Sequence, residues 1–412
     1  VVLFWVLLAL FGALPFVIAD HPHMSFTDAF FESMSGLSTT GATTLSGIDD
    51  LPASIRYYRQ QLQWLGGMGI VVLAVAVMPI LGIGGMQLYR AETPGPIKDN
   101  KLTPRITETA KALWYIYLGL TIVCAIAYWL AGMSVFDAIG HSFSTIAIGG
   151  FSTHDDSMGF FKAYPAIEYI ATLFMLLAGL NFALHFISWR KRSLKPYFAD
   201  AEARTYFMII AGVVLISLAV LWLAETYTGL GQTLRHGIFQ AVSIATTTGF
   251  TTEGFSSWPL HLAILLLTAS FIGGCAGSTA GGMKVIRAML LTRQGVREIF
   301  RLVHPDAIFH IKIGGKPMTS QVISAVWGFF VLYVFSFAVL SILMTITEQD
   351  LVTAFSAVAA SLNNLGPGMG GVSENYANIS PAGKWILCFA MMLGRLEFFT
   401  LLVLLTPTFW RS

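Results

Sequence analysis

The sequence predicts an all-α integral membrane protein, four copies of one unit packed with pseudo-fourfold symmetry about an axis, and three observations carry that prediction. The first is composition: 55% of the 412 residues are hydrophobic and 11% are charged, with a mean hydropathy of +0.70, whereas a soluble domain has about 25% charged residues. The second is a series of apolar runs close to the roughly 20 residues a helix needs to cross a bilayer. The third is a glycine that returns in similar company: Gly41 in STTGAT, Gly150 in IAIGGFS, Gly249 in ATTTGFTT and Gly366 in NNLGPG, at spacings of 109, 99 and 117 residues.

Taken in chain order, the copies span 1–89, 106–190, 204–300 and 318–412. Each opens on an outer helix, expected at Val1 to Ala19, Ala112 to Ala131, Phe207 to Ala224 and Val322 to Ile346. Thirteen residues before each glycine stands a polar, a small and a large apolar residue: Asp28-Ala-Phe, Asp137-Ala-Ile, His236-Gly-Ile and Thr353-Ala-Phe. The segment that follows is about 12 residues long, too short to span and suited to a half-helix that enters the membrane and stops. After the glycine loop comes an inner helix, at Leu62 to Ile83, Ile167 to Trp189, Leu260 to Ile286 and Trp385 to Phe409, of which only the third reads as interrupted. Asp28, Glu32, Asp137 and His141 sit near the half-helix starts and read as N-terminal caps. Trp64, Trp129, Trp258 and Trp385 read as an interfacial belt. Cys124, Cys275 and Cys388 lack ligand spacing and read as small buried hydrophobes. The chain opens inside an apolar run with neither an initiator Met nor a charged lead, so further sequence is expected ahead of Val1, and no signal peptide is recognisable.

Charge sets the orientation. The linkers Arg90 to Lys111, Arg190 to Arg204 and Lys284 to Lys316, with Arg411, hold 18 of the 24 Lys and Arg residues but only 7 of the 22 acids. By the positive-inside rule they are cytoplasmic. The glycine loops are then entered from outside, through an acidic vestibule that concentrates cations. A net charge of +2 gives no reason to expect a nucleic-acid partner. No nucleophile-base pair or paired His and Asp has usable spacing, so an enzyme is not expected, nor is a cofactor.

Non-helical backbone at membrane depth survives only where it is packed in protein or lines a watery cavity. A ring of carbonyls in that position replaces the hydration shell of a cation, and glycine permits the positive φ that turns successive carbonyls to one side. Half-helix C-termini add their negative dipole ends, and Thr39, Thr40, Thr247 and Thr248 can satisfy freed backbone groups. These features predict a single cation pore.

Two features resemble a gate. In GGCAGSTAGG, Gly273 to Gly282, five of ten residues are glycine, and at about 1 kcal/mol per glycine against helix the segment is expected to unwind below the loops. Arg395, in MMLGRLEFF with Glu397, lies in an apolar stretch where an ion costs at least about 2.5 kcal/mol, so it must face a cavity or a partner. Being two residues apart, the pair cannot face each other on a helix. Leu302 to Pro317 alternates in part and reads as a small cytoplasmic hairpin.

The chain resembles the Trk/Ktr/HKT superfamily of potassium transporters, and within it the bacterial TrkH branch, over nearly all its length. The matching stretches are YYRQQLQWLGGMGI, IGHSFSTIAIGGFSTHD, FIGGCAGSTAGGMKVIR, WGFF, LNNLGPG and GRLEFFTLLVLLTPTFW. The resemblance implies four membrane-pore-membrane repeats around one pore, in a bacterial inner membrane. It implies potassium as the substrate, the only metal ion involved, held by the backbone of Thr40 and Gly41, Gly149 and Gly150, Thr248 and Gly249, and Leu365 and Gly366. Glycine at position 41, where relatives that pass sodium tend to carry serine, favours potassium. It implies a gate made by Gly273, Gly274, Gly277, Ser278, Gly281 and Gly282 with Arg395, a homodimer, and a cytosolic nucleotide-binding partner resembling TrkA. Members of the branch also carry an N-terminal pair of helices that this sequence does not contain. The competing expectation is a secondary transporter coupling potassium to protons or sodium. It would require carboxylates within spanning segments, where the sequence offers little beyond Glu397 and the half-helix acids.

Overall fold

In a computed structural model, residues 2–69, 106–307, 309–396, 398–402, 404, 406 and 407 are described. The far end of the first inner run, the linker from Arg90 to Arg105, Glu397 and Arg411 lie outside them.

The outer helices are Val2–Ile18, Ile106–Leu130, Ala201–Leu223 and Ser320–Ile346. Three of these, counted from Ala110 in the second, are long and apolar enough to cross a membrane. Their exposed leucines, isoleucines and phenylalanines suit a lipid solvent rather than water. The half-helices are Phe26–Leu37, Val135–Ala147, Leu230–Ala245 and Leu351–Leu362, with 12, 13, 16 and 12 residues. The third begins six residues ahead of His236 and is longer than the sequence suggests.

Inner helices depart most from expectation. The first starts at Ala53, well before Leu62, and runs to Trp64 before a kinked turn, Leu65–Gly69, in which Gly67 leaves helical backbone at ψ −114°. The second is not continuous: Pro165–Ala178 and Phe182–Lys191 meet at a 96° bend. The third is interrupted as expected, between Leu260–Ser270 and Val285–Val303. The fourth, Pro381–Arg395, also breaks, ahead of Phe398–Leu402. Among the described residues the second, third and fourth inner helices are thus each interrupted, and the first is kinked at Gly67.

Buried apolar side chains form two large clusters, one built mainly from the second and third copies and the other from the first and fourth. The three cysteines are free and buried, as expected. Lys312–Ile313 and Lys316–Pro317 pair as the anticipated hairpin. Two belt tryptophans are not at a lipid surface: Trp258 is buried and donates to Tyr227 Oη, and Trp64 stacks on Tyr117 and Phe143 while donating to Thr121. Trp129 and Trp385 are exposed.

Candidate ion pathway

The half-helices end alike. In each, the residue two before the glycine adopts a left-handed φ: Thr39 at 56°, Ile148 at 55°, Thr247 at 67° and Asn364 at 52°. Its N–H, and that of the next residue, turn back to the helix carbonyls. The second of these bonds joins Thr40 N to Ser35 O, Gly149 N to Ser144 O, Thr248 N to Ser243 O and Leu365 N to Ala360 O, at 2.8–2.9 Å. This is the Schellman ending, which ordinarily uses glycine at the left-handed position. Thr, Ile and Asn there carry backbone strain of about 1–2 kcal/mol each, held in place by the surrounding packing. The glycine then turns left-handed as well, with φ of 81° at Gly41, 78° at Gly150, 79° at Gly249 and 95° at Gly366.

The loops meet in cyclic order. A Cβ placed on Gly41 would overlap Gly149 O, one on Gly150 would overlap Thr248 O, one on Gly249 Leu365 O, and one on Gly366 would press on Thr40 O. Each glycine therefore abuts the carbonyl of the residue preceding the glycine in the next copy, and the fourth returns to the first. All four glycines line one cavity of about 510 Å³, whose wall includes Asp155, Asp156, Glu253 and Glu374 as well as Lys162, His154 and Arg59. The basic Arg59 is neutralised by Glu32 (Nε to Oε1, 2.8 Å), so the open mouth is acidic, as charge patterning predicts.

Supports for the loops were not all legible. Arg59 also donates to Ser152 O at 3.0 Å and Thr43 Oγ1 at 3.0 Å, with its guanidinium over Phe151. Gln63 brackets the second loop, donating to Gly149 O at 2.5 Å and accepting from Phe151 N at 3.1 Å. Tyr376 donates to Gly366 O at 2.7 Å. Glu32 is not a cap, since its carboxylate accepts from Thr43 Oγ1 and Thr44 N besides Arg59. His141 is not one either: its ring bonds Asp137 O and Ser152 Oγ. The caps are Ser25 and Ser134, whose hydroxyls accept from Asp28 N and Asp137 N and donate to the carboxylates of the same residues. Of the threonines, Thr40 bonds Ser38 and Asn364, Thr247 and Thr248 find partners, and the buried Thr39 hydroxyl has none.

The glycine-rich segment Gly273 to Gly282 is unwound, with positive φ at Gly273, Gly277 and Gly282, and crosses against the inner side of the loops. Gly281 N donates to Thr247 Oγ1 at 2.7 Å, Gly282 N to Asn363 O at 3.1 Å, and Thr279 Oγ1 to Ile146 O at 2.9 Å. Gly274 O accepts from Val285 N and Ser278 Oγ turns back to Cys275 O. The bend in the second inner helix receives the segment: Cys275 N donates to Gly179 O at 2.9 Å and Phe182 N to Gly277 O at 3.0 Å. Arg395 reaches it from the fourth copy, donating to Thr279 O at 3.2 Å and to Gly66 O and Gly67 O at 2.5 and 2.8 Å. A partner on another element was expected for this arginine, and these contacts supply carbonyls.

Fold and site together define an α-helical membrane protein in which four glycine loops wall one polar cavity and a fifth unwound segment lies behind them. The family model for TrkH, described as a cation transport protein, matches residues 1–411, and the chain belongs to that family. It is 58% identical over 414 residues to the Trk system potassium uptake protein TrkH of Vibrio parahaemolyticus, covering 100% of this chain and 85% of that protein. Identity to the protein of the same name from Escherichia coli K12 is 56% over 412 residues, with the same coverage. A crystal structure of the potassium transporter TrkH from Vibrio parahaemolyticus superposes with a TM-score of 0.89 at 55% identity, covering 99% of this chain and 84% of that one. The relatives are transport proteins, and the chain is not an enzyme.

Proposed function

We propose that this chain takes up potassium by passing the ion through a selectivity filter of four backbone loops related by pseudo-fourfold symmetry, one from each helix, half-helix, loop and helix repeat. The observation that carries the reading is the cyclic contact of Gly41, Gly150, Gly249 and Gly366 with the carbonyls of Gly149, Thr248, Leu365 and Thr40. A ring whose members touch sideways through carbonyls presents oxygen ligands of fixed spacing, which is what replacing a hydration shell demands. The acidic mouth raises local cation concentration. The family and the names of its relatives support potassium as the ion.

The segment Gly273 to Gly282 is the gate in this reading, because it bonds directly to the undersides of the first-to-reach loop residues Thr247 and Asn363. Arg395 completes it as a fixed positive charge that both anchors the segment and disfavours a cation beside it. On the resemblance, we extend the reading to a homodimer of multi-pass chains in a bacterial inner membrane, regulated by a cytosolic nucleotide-binding subunit.

Reconstitution in liposomes tests this. Rubidium uptake is expected to exceed sodium uptake, to be driven by the imposed gradient, and to rise when Ala276 to Ala280 are deleted. Equal uptake of the two ions would sink the filter reading, and a reversal potential that tracks protons or sodium would replace the pore with a coupled transporter.

A further inference from the structure

Glu202 is used by neither the loops nor Arg395, yet it holds the glycine-rich segment. It lies in the first turn of the third outer helix. Its Oε1 accepts from Ala276 N at 2.7 Å, in the middle of the segment, and from Ile286 N at 3.1 Å, in the first turn of the helix that leaves it. One carboxylate oxygen thus ties two backbone points on either side of the segment's exit strand. That strand carries the buried Lys284 at φ 79°, a left-handed geometry that a non-glycine residue keeps only when its surroundings enforce it.

Other holds on the segment come from hydroxyls and backbone groups of the loops, from Arg395, from the bend of the second inner helix at Gly179 and Phe182, and from Lys284 Nζ, which donates to Ala280 O. Glu202 adds a carboxylate from the third outer helix, and a carboxylate accepting from backbone N–H makes the stronger kind of hydrogen bond. Its helix is capped by Asp200, whose Oδ1 accepts from Ala203 N at 2.8 Å. Immediately before the cap runs the short helix Lys195–Ala199, none of whose residues is buried. Leu194 and Phe198 on that stretch are exposed. A displacement of this exposed linker moves Asp200 and Glu202 with it, and so pulls on Ala276.

Resting on the reading of Gly273 to Gly282 as the gate, we propose that Glu202 is its latch: a positioning residue that keeps the segment beneath the loops and couples its release to movement of the linker Arg190 to Arg204.

The test uses the full chain in liposomes with Cys124 and Cys388 replaced by alanine, so that the native, buried Cys275 in the segment reports on its release to a maleimide. Glu202→Ala removes both bonds, of which the one from Ala276 N lies in the segment, and losing that one charge-assisted hydrogen bond corresponds to roughly ten-fold in the released population. Glu202→Ala is therefore expected to speed Cys275 modification and raise rubidium uptake by about that factor, with Glu202→Gln, which keeps a carbonyl acceptor, in between. A misfolded protein loses flux, so a gain is diagnostic. If the deletion of Ala276 to Ala280 raises uptake but Glu202→Ala leaves both uptake and labelling at the parent level, the latch is wrong and the gate stands. A deletion without effect overturns the gate and the latch together. Should the alanine variant fail to fold, Glu202→Asp, one methylene short of reaching both N–H groups, takes its place under the same criteria.

Discussion

Replacing Gly41 by alanine separates ring contact from backbone strain, because the structure provides a matched control six residues away. Gly41 has φ 81° and its added Cβ would overlap Gly149 O. Gly47 has φ 68° and nothing within 4 Å of the same atom. An L-residue in left-handed backbone costs about 1–2 kcal/mol at either site. Only at position 41 must the Gly149 carbonyl also move, and Gln63 resists that through its 2.5 Å bond to the same oxygen, worth about 1 kcal/mol. Gly47→Ala is therefore expected to lose about 1–2 kcal/mol of stability with ion preference unchanged. Gly41→Ala should lose about 2–3 kcal/mol, and a filter distorted by the extra ~1 kcal/mol would discriminate about five-fold less well between potassium and sodium. Gly41→Ser should do the same. Thermal unfolding in detergent measures the first quantity, and rubidium and sodium uptake by liposomes of matched protein content measures the second. Parallel ion preference in the Gly41 and Gly47 variants would refute the ring.

Arg395→Gln removes the charge and leaves one amide NH2 in place of the guanidinium that reaches Thr279, Gly66 and Gly67, and is expected to raise rubidium uptake several-fold; uptake at or below the wild-type level contradicts the gate. Arg59→Leu strands the buried Glu32 carboxylate, a loss of roughly 3–5 kcal/mol, visible as a fall in Tm that Glu32→Gln in the same chain should partly restore; an unchanged Tm would show the pair to be dispensable. His154 offers a pH test. It faces Asp49 through Nδ1 and Asp137 at 3.4 Å through Nε2, with His141 stacked beside it. Burial opposes its protonation, but the two carboxylates outweigh burial and hold its pKa above the ordinary 6.5. A raised histidine stabilises fully below its unfolded pKa, about 6.5, and that contribution is lost as pH rises through the folded value. The Tm gap between wild type and His154→Asn should be widest below the unfolded pKa of about 6.5 and narrow as pH rises past the higher folded value; a gap independent of pH would refute the ion pairs.

The four-part frame was legible because its signals are local: an apolar run, a segment too short to span, and a glycine. The loops' left-handed entry was not, since Thr39, Ile148 and Thr247 carry no propensity for it, Asn364 alone being a residue that tolerates it, and the Schellman bonds of the half-helices hold them there. The bend in the second inner helix was hidden for a related reason. Gly179-Leu180-Asn181 reads as a tolerable interruption in an apolar run, and a break at membrane depth leaves backbone groups unpaired. The glycine-rich segment supplies their partners, accepting from Phe182 N and donating to Gly179 O. A contact between copies about 100 residues apart in the chain determines the break, and no single window of sequence contains it. Arg59 and Glu32 share that property: each looks like a surface or capping residue until the fold brings them to 2.8 Å.

The ring is uniform in backbone and uneven in its supports, and that contrast bears on how it can select an ion. Four loops repeat the same φ pattern and the same two return bonds, while side chains also bond two of the loop carbonyls, Gln63 on Gly149 O and Tyr376 on Gly366 O. What braces each loop differs: Glu32 beside the first, Arg59, Gln60 and Gln63 behind the second, Ser243 and Thr246 within the third, Tyr376 on the fourth. Three of the second loop's braces come from the first copy's inner helix, so a distortion of that helix reaches the second loop directly. Gly66 and Gly67, which end the same helix, are the carbonyls that Arg395 holds. The kinked turn Leu65–Gly69 therefore joins the brace of the second loop to the anchor of the glycine-rich segment, and on the proposed reading a movement beneath the ring reaches the ring itself through this helix.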